Sequence, residues 1–251
     1  MRPNILFLDI ETAPLLSYTW GLWDQNVALN QIAKDWHILS WSAKWRNESK
    51  VMYMDQRGAK DIEDDSKIMR ELWKLLDQAD IICTQNGKKF DAKKINARFI
   101  AHGFQPPRPY KHIDTLQIAK KHFAFTSNKL EYMADKLNVK YKKLTQHEFQ
   151  GFELWKQCLA GNKKAWRVME KYNKHDVLAL EELYEKLAPW DNSVNLHVFT
   201  DSCKCGSKNI ERRGFAYTSV GRYQRYQCRD CGTWTRGAEN LKDSKAVRRA
   251  V

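Results

Sequence analysis

No stretch of this chain reaches the ~18 consecutive apolar residues that a membrane-spanning helix needs, so nothing in it reads as a transmembrane helix. The opening MRPNILFLDIETAP is not a secretory leader either. Acids interrupt its apolar run, and it lacks a proper charged n-region and a small-residue cleavage site. Long low-complexity tracts and internal repeats are also missing, which argues against a disordered or solenoid protein. Acidic residues are in deficit: 30 Asp and Glu stand against 43 Lys and Arg, a net charge of +13.

A chain of 251 residues with 43% apolar and 12% aromatic residues can bury a substantial core. Its length suits one large domain, or a medium domain plus a small one. A protein this basic commonly meets a polyanion, because phosphate contacts release counterions and supply affinity without regard to sequence. With no leader and no membrane span, the expected compartment is a reducing cytoplasm, that of a bacterium or of a bacteriophage host. Clustered cysteines there bind metal more often than they form disulfides.

Residues 5–10 are apolar on both faces, as in a central strand of a covered sheet. Two β-rich runs follow at Ile38–Trp45 and Val51–Asp55. Residues 61–78 carry Ile68, Leu72, Leu75 and Leu76 on one helical face. A compact strand is expected at 80–84. Helices are expected at 90–102, 113–122, 129–137 and 163–187. Strands first and helices later indicate an α/β domain. Trp20, Trp23, Trp36, Trp41 and Trp45 follow the first strand. Core and sheet-edge packing is expected for most of them, a nucleotide-binding groove being the alternative. Composition changes after Pro189. The expected organisation is an α/β domain over 1–189, a linker over 190–201, a cysteine-bearing module over 202–238 and a basic tail over 239–251. The tail includes Lys242, Lys245, Arg248 and Arg249.

Asp9 and Glu11 sit two apart at the end of the first strand. The period of two points both side chains to one face, at the strand end where ligands gather in such sheets. Two carboxylates so placed repel unless a cation or proton lies between them. Asp91 opens a helix after an apolar strand, where capping of free amides is the ordinary role. Asp114 is expected to be a cap or a packing residue. Tyr172 and Asp176 share a face of the last helix, which is often no more than a surface pair. His175 points elsewhere.

Taken in order, these residues say more than they do singly. Asp-Ile-Glu-Thr at 9–12, Asn-x-x-x-Phe-Asp ending at Asp91 and Tyr-x-x-x-Asp-Val from Tyr172 to Val177 resemble the three exonuclease motifs of the DEDD superfamily. That is the ribonuclease-H-like group containing proofreading exonucleases. The likeness covers residues 4–188. Tyr172, four before Asp176, is similar to the tyrosine (DEDDy) branch; the histidine branch would want a His where Lys171 stands. The resemblance implies a ribonuclease-H-like mixed sheet flanked by helices. It implies that Asp9, Glu11, Asp91 and Asp176 hold two Mg²⁺ or Mn²⁺ ions, and that Tyr172 helps to position the attacking water. Lys88 and Lys89 depart from the usual spelling of the second motif and leave the role of Asn86 open.

Cys203-Lys-Cys205-Gly and Cys228-Arg-Asp-Cys231-Gly read as two knuckles of a zinc ribbon holding one structural Zn²⁺. Glycine after each pair permits the turn that brings amides to sulfur. The one-residue spacing of the first pair is a departure, and His197 is the remaining candidate ligand nearby. A disulfide-linked or reduced quartet is the alternative. Cys83 and Cys158 lie in apolar contexts and read as core. Between the pairs, Arg212, Arg213, Tyr217, Arg222, Tyr223, Arg225 and Tyr226 interleave charge and ring, as a surface that pairs with phosphates and stacks on bases does. This segment resembles zinc ribbons of transposases and other DNA-handling proteins.

The expected function is a metal-dependent 3′→5′ exonuclease acting on nucleic acid, DNA before RNA, with the ribbon holding the strand. Proofreading would need a replication or repair partner protein. The competing expectations are a catalytically silent nucleic-acid-binding adaptor, and a ribonuclease or endonuclease on the same fold.

Overall fold

The computed structural model describes residues 3–141, 148–191 and 202–241. Most of the expected linker, His197 and the basic tail from Lys242 lie outside the described residues. The chain divides into two compact units, one of Asn4–Tyr184 and one holding the residues from Glu185 onward. No described helix is long and apolar enough to cross a membrane.

The first unit is built on a five-stranded sheet in the order β5-β4-β1-β6-β7. Its centre is β1 (Ile5–Thr12). A short hairpin of β2 (Leu16–Ser17) and β3 (Ile32–Lys34) follows, then β4 (Ile38–Trp45) and β5 (Val51–Asp55). Helix α1 (Ser66–Gln78) leads to β6 (Ile81–Thr84), α2 (Asp91–Ala101) leads to β7 (Lys111–Asp114), and α3 (Thr115–His122) follows. Helices α4 (Leu130–Lys136), α5 (Glu153–Leu159) and α6 (Lys163–Leu187) complete the order. Strand β4 is antiparallel to β1 and to β5, whereas β6 is parallel to β1 and to β7, so the sheet is mixed.

The pleat of β1 decides where chemistry can sit. Leu6, Leu8 and Ile10 face α1 and α2, in one cluster with Ile68, Leu72, Leu76, Ile95 and Phe99. The alternate residues Phe7, Asp9 and Glu11 point to the other face, where α6 lies. Phe7 packs on Tyr184 at 5.7 Å, and Asn173 of the same helix reaches Asp9. On α6, Ala165, Trp166, Met169, Asn173, Val177, Leu180 and Tyr184 form the buried stripe of an amphipathic helix.

Three expectations are corrected. Helix α1 begins at Ser66 rather than at 61: the carboxylates of Asp61 and Asp64 take the amides of Glu63 and Ser66 into local turns. Asp65, fully buried, is held by Arg98 and His102 and receives the amide of Ile38. Ile113 is in a strand, not a helix. The run 111–114 pairs with β6, Cys83 opposite Ile113, and is too short to show a period. Helix α5 was not anticipated at all. Of the tryptophans, Trp41 is buried and Trp36 and Trp45 pack partly against the core, but Trp20 and Trp23 are 98% and 82% exposed on the loop between β2 and β3.

The second unit carries a three-stranded antiparallel sheet in the order β10-β9-β8. These are β8 (Ile210–Thr218), β9 (Gly221–Cys228) and β10 (Trp234–Arg236).

Candidate metal centres and active site

Asp9, Glu11 and Asp176 converge: carboxylate oxygens of all three lie within 4.8 Å of one another. The strand supplies the first two, and α6, running along the same sheet face, supplies the third. Asp91 is buried at the first turn of α2 and stands outside that tight trio. It is the first helical residue and not the N-cap, and its carboxylate takes its own amide. Its Oδ1 accepts the amide of Ile10 at 3.3 Å, which sets it against the strand between the two β1 acids. The loop that delivers it is pinned. Asn86 adopts φ +63°, and at Gly87 a Cβ would lie 2.2 Å from the Thr84 hydroxyl, so only glycine fits. Asp114 caps α3 through the amide of Leu116 and also accepts from the amides of Asn86 and Lys88.

The electrostatics follow from burial and crowding. Burial, then the charges of Glu11, Asp176 and Asp91, raise the pKa of Asp9 well above the ordinary carboxylate value. Burial, Asp176 and Asp91 do the same to Glu11. Burial chiefly lifts Asp91 to about 7. Tyr172 hydrogen-bonds Asp176; burial first and then that acid push its phenol upward, so it stays protonated. Three carboxylates this close, with the neighbouring Asp91, are all ionised together only beside a cation. Their hard oxygen donors fit Mg²⁺ or Mn²⁺.

Two neighbours escaped sequence reasoning. Asn173 is fully buried and donates to Asp9 Oδ2 at 2.5 Å, while its carbonyl takes the hydroxyl of Ser40 at 3.1 Å. A polar residue on the apolar stripe of a long helix was the available signal. Trp155 hydrogen-bonds Glu11 and meets the Tyr172 ring edge-on at 6.0 Å. It lies on the unanticipated α5, so no signal existed.

A pH-dependent metal effect is expected. Carboxyls held protonated in the fold favour the folded state at low pH. That contribution is full below the unfolded aspartate value of about 4 and fades as pH rises towards about 7, the value for Asp91. Above this window a divalent ion takes over from the protons. At a hundredfold excess over Kd, Mn²⁺ should add about 2.7 kcal/mol, or roughly 5–10 °C in Tm, at pH 8. At pH 5, where protons compete, the shift should be much smaller. Thermal melts at both pH values check this; equal shifts, or none, contradict a cation site.

In the second unit the sulfurs of Cys203, Cys205, Cys228 and Cys231 also lie within 4.8 Å of one another. Cys203–Cys231 and Cys205–Cys228 approach to 3.5 and 3.8 Å, too far for disulfides. The short spacing of the first pair does not prevent convergence. Gly206 and Gly232 both take positive φ, +94° and +77°, and turn their amides back to the carbonyls of Cys203 and Cys228. Burial raises the Cys203 thiol. At Cys228 burial is outweighed by the amides of Cys231 and Asp230, which bring the thiol down to about 7. Cys83 and Cys158 are buried in the core of the first unit.

Along the β8–β9 hairpin, which has Cys228 at one end, Arg212, Arg213, Tyr217 and Arg225 are exposed, and Arg222, Tyr223 and Tyr226 are half-buried. Arg213 pairs with Glu211 at 3.3 Å, and Arg222 lies over Phe215 at 4.8 Å.

A mixed sheet in this order, with acids gathered where its central strand ends, defines a nuclease-type α/β domain. A family model for the RNase H superfamily matches residues 6–188, and the chain belongs to that superfamily. Among solved structures it is similar to the family B DNA polymerase of the hyperthermophilic archaeon Pyrobaculum calidifontis, with a TM-score of 0.56 and 16% identity. The match covers 75% of this chain and 25% of the polymerase chain, and shows the fold alone. Comparison with curated protein sequences finds no match.

Proposed function

We propose that this chain is a metal-dependent 3′→5′ exonuclease of the tyrosine branch, cutting phosphodiester bonds with DNA as the preferred substrate and RNA as the second. The observation that carries this is the convergence of Asp9, Glu11 and Asp176, with Tyr172 hydrogen-bonded to Asp176. Asp9, Glu11, Asp91 and Asp176 would hold two Mg²⁺ or Mn²⁺ ions. Such ions supply an activated water and stabilise the leaving oxygen. The chain's own residues do the rest. Asn173 and Trp155 each engage one β1 carboxylate and fix its orientation. Tyr172, kept protonated, offers a hydroxyl beside Asp176 for placing the attacking water. Residues 202–238 form a zinc ribbon that retains the strand; its likeness to DNA-handling ribbons and the DNA polymerase fold neighbour favour DNA. The setting that fits is the cytoplasm of a bacterium or of a phage-infected cell, with a replication or repair partner where the enzyme proofreads.

Oligonucleotides labelled at either end test this, as DNA and as RNA, with Mg²⁺ or Mn²⁺. A ladder of successively shortened 5′-labelled products is expected. Internal cuts would instead identify an endonuclease, and binding without cleavage an adaptor.

A further inference from the structure

The charge on the three-stranded sheet is not spread evenly. Glu211 is shared between Arg213 at 3.3 Å and Arg229 at 2.7 Å. Among the described residues, neither Arg225 nor Arg236 has a carboxylate partner, although both are exposed. These two arginines are direct cross-strand partners in the β9–β10 register. Like charges so placed are destabilising, and the arrangement makes physical sense when each guanidinium takes an anionic group.

The aromatic residues of that face explain how the pair is held. Strand alternation places Tyr223 and Arg225 of β9 on one face with Trp234 and Arg236 of β10. The Arg225 guanidinium lies 4.9 Å from the Trp234 ring centre, and its Nε–H donates to the carbonyl of Arg213 at 3.1 Å. The Arg236 guanidinium lies 4.1 Å from the Tyr223 ring centre. Each arginine therefore leans diagonally across the strand pair onto the other strand's ring. The two heads splay in opposite directions, as suits separate phosphates along one strand. A ring face covered by a guanidinium is closed to a base, so the rings serve as platforms for cations here. Guanidinium geometry matches phosphate oxygens, and stacking lowers the entropy lost on binding.

From this we infer that the β9–β10 face binds the phosphodiester backbone of a nucleic-acid strand through Arg225 and Arg236, and does not read its bases. The inference rests on the strand-holding role proposed above for the module. It adds Arg236 and Trp234 to the residues expected from sequence. It gives Tyr223 the task of positioning Arg236 in place of stacking on a base.

The test uses the full zinc-loaded chain without added Mg²⁺ or Mn²⁺, and labelled single strands ending in 3′ phosphorothioate linkages. The strand then persists whatever the carboxylate site does. Anisotropy gives affinity across a salt series for a normal strand and for an abasic strand of equal length. The abasic strand is expected to bind within about threefold of the normal one. Arg225→Gln/Arg236→Gln should lower the slope of log affinity against log salt by about 1.4, two single-strand contacts at ~0.7 each. Arg225→Lys/Arg236→Lys should keep most of the slope. Zinc content and thermal melts confirm that the variants fold. The inference is overturned if the abasic strand loses tenfold or more, if the glutamine variant keeps the full slope, or if neither strand binds. Failure here leaves the ladder assay of the wild-type chain untouched, and a missing ladder leaves this binding result standing.

Discussion

Asp9→Ala and Asp176→Ala are expected to lower cleavage at least about 10³-fold while strand binding stays within a few-fold. That is a loss of about 4 kcal/mol of transition-state stabilisation, in the range a lost cation contact supplies. Binding should survive because neither acid attracts a polyanion; removing one reduces local negative charge. Removing the charge alone, as Asp9→Asn does, should raise the Tm of metal-free protein. Each acid contributes to the burial and mutual repulsion that lift the neighbouring pKa values. Asp9→Asn is the cleaner probe. Alanine leaves the buried Asn173 amide without its 2.5 Å acceptor, at a cost of about 1–3 kcal/mol. Asparagine keeps an acceptor oxygen there and removes only the charge. Single-turnover cleavage, anisotropy and melts on the three variants separate these effects. Full activity in Asp9→Ala would remove Asp9 from the site.

Much of the first unit was legible because its strands are either long or covered on both faces. Residues 5–10 of β1 are apolar but for Asp9, β4 and β5 are rich in apolar and aromatic residues, and their places in the sequence match the structure. Helix α6 was equally plain, since a stripe repeated over 25 residues outweighs any local exception. What failed was short or set by tertiary partners. Four residues of β7 cannot display a period, and their strand character comes from pairing with β6. The start of α1 was decided by Asp61, Asp64 and Asp65, whose carboxylates find turn amides and a buried Arg98 better than a longer helix.

The carboxylate constellation was legible only as an ensemble, because each acid alone has an ordinary explanation. Asp114 takes that explanation and caps α3. Asp91, in an equivalent-looking position, takes its own amide and also that of Ile10, 81 residues away in the sequence. No local rule distinguishes the two. Trp20 and Trp23 show the opposite limit: composition cannot say which tryptophans of a cluster find a core. In the second unit four cysteines and two glycines were enough to place the cluster. That Arg225 and Arg236 stand opposite one another depended on cross-strand register, which no spacing reveals.

Cys228→Ser is expected to unfold the second unit and leave the first intact. The described residues from 202 to 241 bury no Leu, Ile, Val or Phe; their buried apolar side chains are Cys203 and Cys228. A module of this size without a core needs a metal or other staple. Structural zinc supplies roughly 10–16 kcal/mol in such peptides at pH 7, and serine is a poor replacement for a thiolate. Zinc content should fall from one per chain towards none, and the β8–β9–β10 amides should lose protection from hydrogen exchange. Amides of β1, β4 and α6 should keep theirs, since their clusters draw on residues of the first unit. Cleavage of short oligonucleotides should stay within a few-fold of wild type, because Asp9, Glu11, Asp91 and Asp176 are untouched. KM for long strands should rise roughly tenfold, the scale expected when several phosphate contacts are lost. Equal zinc stoichiometry and affinity in variant and wild type would show that Cys228 holds no ion. A matching collapse of short-substrate cleavage would show that the module shapes the carboxylate site, and not only the grip on the strand.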